Sequence, residues 1–263
     1  MSTEGFYCAT ADCEFDVSEI FSAPRVCSIA KEKGWRPGFS IDIAQEDAVT
    51  GKSWDLSKQR DQSMLWGLLR RRRSRLLIAS PPCKTFSRLQ FLRKTQMADS
   101  ESENGEKLLH AAVKACRMQH KMGLYFILEH PETATSWKDE QVQLLRGAAG
   151  VYEFVLDQCE FGSESWDECG KAPAKKPTRI LTNMKMAITV MGQICRGNHR
   201  HVHLVHGRAA AAQVYPIVLC VAMLDALRLE MTREEALCDL GHADDHDDEH
   251  HMKFDTGQYR SCK

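Results

Sequence analysis

Short apolar runs alternate with amphipathic stretches from about residue 16 to residue 229, and that alternation predicts an α/β fold built on a wound sheet. Asp16-Val-Ser-Glu-Ile-Phe21 reads as a first strand. A helix over 25–33 follows, entered at Pro24 and stopped by Gly34. Gly38-Phe-Ser-Ile-Asp-Ile43 is a second strand with an acid near its end, and Ser57 is placed to cap a helix through Leu65, Leu68 and Leu69. Two wholly apolar strands come next, Leu76-Leu-Ile-Ala79 and Tyr125-Phe-Ile-Leu128, as expected where helices cover both faces of a sheet. Between them, 99–106 is polar and reads as a loop, while 107–122 reads as a helix because Leu109, Val113 and Cys116 share one face. A helix over 139–146, a strand over 151–156, a turn-rich stretch over 162–176 and a strand over 178–182 follow. A long helix over 209–229, interrupted early by Pro216, closes the pattern.

Composition narrows the class. An apolar fraction of 43% supports a substantial core, and no run approaches the apolar length of a membrane span, so no membrane partner is expected. The first 16 residues are acidic and lack a basic-then-apolar run, which argues against a secretory leader. Eleven cysteines without such a leader are expected to be reduced thiols inside a cell, nuclear or cytoplasmic. A net charge of −1 counts against a strongly basic nucleic-acid binder, and the Arg70 to Arg73 run reads as a solvated helix end complementing the helix dipole. The expected organisation is a flexible 1–15, one domain over 16–230, and an acidic, histidine-rich tail over 231–263 without fixed structure.

The candidate chemistry lies where the two apolar strands end. Ser80-Pro-Pro-Cys-Lys-Thr-Phe-Ser87 follows one, and Glu129-His130-Pro131 follows the other. In wound sheets, ligands sit outside the carboxyl ends of the strands, so both segments are expected at one crevice. A thiol held there becomes a nucleophile when its pKa is lowered, and a neighbouring carboxyl can hold or protonate a ring nitrogen. Taken singly, Cys83 also reads as a small buried hydrophobe, and Glu129 as the cap of a following helix.

These segments resemble the C5-cytosine DNA methyltransferases. Ser80-Pro-Pro-Cys-Lys-Thr-Phe-Ser87 is similar to that family's Pro-Pro-Cys catalytic loop, and Glu129-His130-Pro131 to its Glu-Asn-Val or Glu-Asn-Pro motif. Upstream, Glu19-Ile-Phe21, Asp42 and the Asp55 of Trp-Asp-Leu resemble cofactor-binding positions. Downstream, Lys176-Pro-Thr-Arg-Ile-Leu-Thr-Asn183 resembles a strand of short phage- and retroelement-associated members, and Gly207-Arg-Ala-Ala-Ala-Ala-Gln-Val-Tyr-Pro216 the family's closing helix. The resemblance implies a Rossmann-like S-adenosylmethionine-dependent methyltransferase fold with a mostly parallel sheet. It implies catalytic roles for Cys83, Glu129 and Arg179, and S-adenosylmethionine contacts from Phe21, Ser22, Asp42, Asp55 and Pro81. The implied reaction adds the Cys83 thiolate to cytosine C6 while Glu129 engages N3, so that C5 takes the methyl group. DNA is the implied substrate, with RNA or a free nucleotide as alternatives.

The chain departs from the family in three places. Ser22-Ala-Pro-Arg-Val26 stands where a Gly-rich turn is usual, His130 replaces Asn, and only 184–206 lies where longer members insert a target-recognition domain. Specificity would then come from a protein partner. The same departures support a second reading, a catalytically lapsed module of mobile-element origin that binds nucleic acid or protein. Separately, Cys195-x3-His199-x-His201-x-His203 carries metal-capable side chains, with Cys159 and Cys169 upstream. Its spacing matches no zinc-finger pattern, His201 and His203 read as strand-like, and structural hydrogen bonding is expected with no metal ligand.

Overall fold

The computed structural model describes residues 13–87, 99–204 and 214–244, with side chains in the last segment as far as 237. Six strands form one sheet: β1 (Phe15–Ile20), β2 (Pro37–Ile41), β3 (Ser74–Ala79), β4 (Tyr125–Pro131), β5 (Tyr152–Asp157) and β8 (Pro177–Thr182), in the order β2-β1-β3-β4-β8-β5. Strands β2, β1, β3 and β4 run parallel, and β8 is inserted antiparallel between β4 and β5. A separate hairpin, β6 (Glu164–Asp167) with β7 (Gly170–Pro173), stands apart from that sheet.

Helices cover both faces, as the apolar β3 and β4 require. On one face, Leu77, Ala79, Phe126 and Leu128 pack with α2 (Gln59–Arg71), α3 (Asp99–Lys121) and α4 (Glu140–Arg146). On the other, Val17, Leu76, Ile78 and Ile127 pack with α1 (Val26–Glu32), α5 (Met186–Met191) and α6 (Ile217–Asp244). The wound, Rossmann-like α/β sheet expected from the pattern is therefore present. No described helix is long and apolar enough to cross a membrane.

Several expectations are corrected. The 99–106 stretch is the first part of α3: its glutamates are good helix formers, and Gly105 lets the helix press against Thr85, a backbone approach that polarity alone does not signal. Ser57 does not cap α2. The N-cap is Lys58, and the Ser57 hydroxyl donates instead to Asp55. Strand β4 continues through Glu129-His130-Pro131, because antiparallel β8 pairs with it there. The turn-rich 162–176 contains the β6–β7 hairpin, whereas His201 and His203 lie in irregular chain. The closing helix begins only at Ile217, Pro216 taking the N-cap place, where it accepts the Cys220 amide; 209–213 lie outside the described residues.

The same helix runs beyond 230 into the stretch expected to be unstructured. Buried Glu230 accepts from the Met186 amide and from Arg233, which anchors the helix past that point. The rest of the tail, 245–263, and residues 1–12 lie outside the described residues.

Candidate active site

Strands β3 and β4 pair with Ala79 beside Leu128, so Ser80, where β3 ends, stands next to Glu129, which is still within β4. Beyond Ser80 the chain passes through buried Pro81 and exposed Pro82, places Cys83 half-buried, and tightens into a 3-10 turn, Lys84–Phe86. His130 locks this loop to β4. Its Nε2–H donates to the Pro81 carbonyl at 3.2 Å, and its Nδ1 accepts from the Ser136 hydroxyl at 2.6 Å. Burial pushes the His130 pKa down to about 4, so the ring is neutral near pH 7 and this tautomer is the one the partners require.

Glu129 is 5% exposed, and its Oε1 is buried without a hydrogen-bond partner among the described residues. The ammonium of Lys176 lies 3.8 Å from that oxygen. The thiol of Cys83 feels both groups. Burial raises its pKa, Lys176 pulls it back down, and the Glu129 carboxylate pushes it up. A thiol, a carboxylate and a cation thus share one small, poorly solvated space at the carboxyl ends of β3 and β4. Tyr215, just before α6, closes the back of it: its hydroxyl lies 2.5 Å from Ser80 Oγ, and burial, then the nearby Glu129 charge, push its pKa well up.

Lys176 was missed by the sequence reading, and Arg179 was chosen instead. In the β4–β8 register Arg179 stands opposite His130, on the sheet face away from Glu129, which alternates to the other side. Its guanidinium donates to Glu153 at 2.8 Å and lies 5.5 Å from the centre of the Trp137 ring. The structure does not bring Arg179 to Cys83. The signal for Lys176 was its place just ahead of a strand pairing beside Glu129, which becomes readable only once the antiparallel register is known.

The cofactor candidates sit at the ends of β1 and β2. Phe21 is half-buried with φ 60°, a left-handed conformation rare for a bulky residue, and its amide bonds to Ile41. The Ser22 hydroxyl donates to the Ala23 carbonyl. Asp42 is half-buried, and its Oδ1 takes the Ala44 amide at 2.7 Å. Beside it Ile43 is 67% exposed, an apolar surface at the crevice lip that the strand pattern did not single out. Asp55 is turned into its own loop, where Ser57 holds its carboxyl below the usual range and Lys58 completes an ion pair. Asp47, buried, pins the same loop by accepting from the amides of Ser40, Val49 and Thr50.

At this end of the sheet an acid, Asp42, thus stands beside an exposed aliphatic side chain, Ile43. Glu19 lies behind the turn, fully buried, accepting from the Arg25 and Cys27 amides, with its Oε2 lacking a hydrogen-bond partner among the described residues.

No protein-family model matches the chain, and no curated protein does. Among solved structures it is similar to the crystal structure of the S. pombe Dnmt2 methyltransferase, with a TM-score of 0.35 and 14% identity. That match covers 64% of this chain and 49% of the other, so the chain spans about half the length of this neighbour.

Proposed function

We propose that this chain is an S-adenosylmethionine-dependent methyltransferase acting on C5 of cytosine in DNA through a covalent bond from Cys83 to C6. The observation that carries the reading is the buried Oε1 of Glu129, which has no hydrogen-bond partner among the described residues, beside Lys176 and Cys83. A buried carboxylate oxygen without a partner costs on the order of 1–3 kcal/mol or more, and persists where a ligand supplies the missing donor. The 4-amino group of a cytosine whose N3 edge faces Glu129 supplies one there, with C6, across the ring, turned toward the sulfur.

The chain's own residues then divide the work. Burial keeps Cys83 protonated in the free protein, and Lys176 favours its thiolate. Glu129 opposes the thiolate only while its charge is unscreened, so engaging N3 relieves that opposition. Substrate binding and thiolate formation are coupled in this way. Thiolate addition at C6, with a proton taken up at N3, makes C5 electron-rich; once C5 carries the methyl group its proton passes to water, the C6–S bond breaks with its electron pair going to sulfur, and N3 gives its proton back. Bound S-adenosylmethionine would supply the electrophilic methyl group, held by Asp42, Ile43, Phe21 and Ser22. A base within a duplex must first leave the stack, at a cost of a few kcal/mol.

Radiolabelled methyl transfer onto DNA, RNA and free nucleotides in parallel tests the substrate. DNA is expected to take the label, and Cys83→Ser to abolish it with fold and cofactor affinity retained. Methylation by Cys83→Ser at the wild-type rate contradicts the assignment.

A second reading, the lapsed module, is favoured by the turn after β1. There Glu19 already occupies the Arg25 and Cys27 amides, and Pro24 replaces a flexible glycine. Calorimetric titration with S-adenosylmethionine separates the two, and absence of binding favours the module.

A further inference from the structure

Away from this crevice, the least regular part of the fold closes around four soft side chains. Cys159 lies on the turn Gln158–Phe161 that follows β5, and Cys195, His199 and His201 lie on the chain after α5. Their ligand atoms all fall within 4.8 Å of one another, while Cys169 and His203 stay outside the group. The Sγ of Cys195 is 3.6 Å from His199 Nε2 and 3.4 Å from His201 Nε2. A tetrahedral zinc ion, with bonds of about 2.3 Å to sulfur and about 2.0–2.1 Å to nitrogen, sets those atoms about 3.6 Å apart.

We propose that Cys159, Cys195, His199 and His201 bind one zinc ion in a closed, structural site. The surrounding bonds prepare the ligands. His199 Nδ1 lies 3.0 Å from the Asn198 side-chain oxygen, so it carries the proton and leaves Nε2 with its lone pair toward the cluster. The Gly197 amide donates to Cys195 Sγ at 3.3 Å, a bond that favours the thiolate a metal needs, and Gly197 adopts φ 72° to bring it there. The Cys195 amide is held in turn by Asp157. Two thiolates neutralise a dication, and four protein ligands leave no position open for substrate, which separates this site from a catalytic one.

The local fold has use for such a staple. The chain over 193–204 forms no helix or strand, and the β6–β7 hairpin it packs on is two-stranded, an arrangement marginal by itself. Polar ties join them: Arg200 to Asp167 and to the Gly170 carbonyl, and the Val202 amide to the Pro173 carbonyl. Asp157 also holds Lys175, next to the Lys176 that faces Glu129, so the metal site braces the edge of the crevice. Spacing hid the cluster because Cys159 comes from a separate element.

Cobalt titration of the full chain, stripped of metal under reducing conditions, tests the proposal. One equivalent is expected to give the intense visible bands of tetrahedral cobalt with thiolate charge transfer, and zinc to displace it and raise the melting temperature. Cys195→Ser is expected to lose the charge-transfer band and at least tenfold in affinity. Cys262→Ser and the double change His250→Ala, His251→Ala are expected to keep both, which excludes the tail as the ligand source. A wild-type protein without the tetrahedral spectrum, or a band that survives Cys195→Ser, overturns the site. So does a Cys159–Cys195 disulfide in a chain that takes up no metal after reduction. If Cys195→Ser does not fold, the wild-type spectrum and the zinc dependence of its melting decide.

Discussion

At the scale of single residues, the account turns on what sets the protonation of Cys83 and His130. Thiol alkylation follows the thiolate fraction, so each neighbour of Cys83 has a signed effect. Lys176→Gln removes the cation that lowers the Cys83 pKa, and is expected to slow its alkylation. Glu129→Gln removes the opposing charge and is expected to speed it, while abolishing methyl transfer. Peptide-resolved mass spectrometry after timed iodoacetamide treatment reads both, and equal rates in all three proteins would separate these groups from the thiol. His130 acts on stability. Its folded pKa of about 4 lies below the ordinary 6.5, so the unfolded chain binds a proton first as pH falls. Stability is full above about pH 6.5 and is lost toward pH 4, by up to about 3 kcal/mol for this one group. Urea unfolding at pH 7 and pH 5 is expected to show that loss in the wild type and a smaller one in His130→Gln.

At the scale of elements, what the chain pattern made legible was what burial dictates. β3 and β4 were readable because apolar runs covered on both faces have few alternatives, and the ends of both strands pointed to Cys83 and Glu129. What escaped was set by partners distant in sequence. The first part of α3 looks like a loop because nothing local reveals that Gly105 must pass Thr85. A Cβ at 105 would meet Thr85 Oγ1 at 2.4 Å and its Cβ at 2.7 Å. Gly105→Ala gains up to about 1 kcal/mol in helix propensity, yet overpacking of this kind costs about 1–3 kcal/mol. The clash is expected to win: melting temperature and methyl transfer both fall, and a Thr85→Gly change in the same chain restores part of each. A higher melting temperature for Gly105→Ala alone would mean that α3 does not press on the catalytic loop. Arg179 and Lys176 teach the same lesson. Only the antiparallel register of β8 reveals which of them shares a face with Glu129.

At the scale of the molecule, the sheet order gathers segments far apart in the chain. Strands β1 and β2 offer Phe21, Asp42 and Ile43, strands β3 and β4 offer Cys83 and Glu129, and the approach to β8 offers Lys176. Tyr215 ties the entry of the last described helix to Ser80, so that element closes the space that the central strands open. The most direct test of the centre is a trap. An oligonucleotide carrying 5-fluorocytosine, incubated with the protein and S-adenosylmethionine, has no C5 proton to release once the sulfur has added. The account predicts a denaturant-stable protein–DNA adduct whose mass maps to the peptide containing Cys83, absent in Cys83→Ser. No adduct from a protein that binds both ligands, or an adduct on another cysteine, would contradict it.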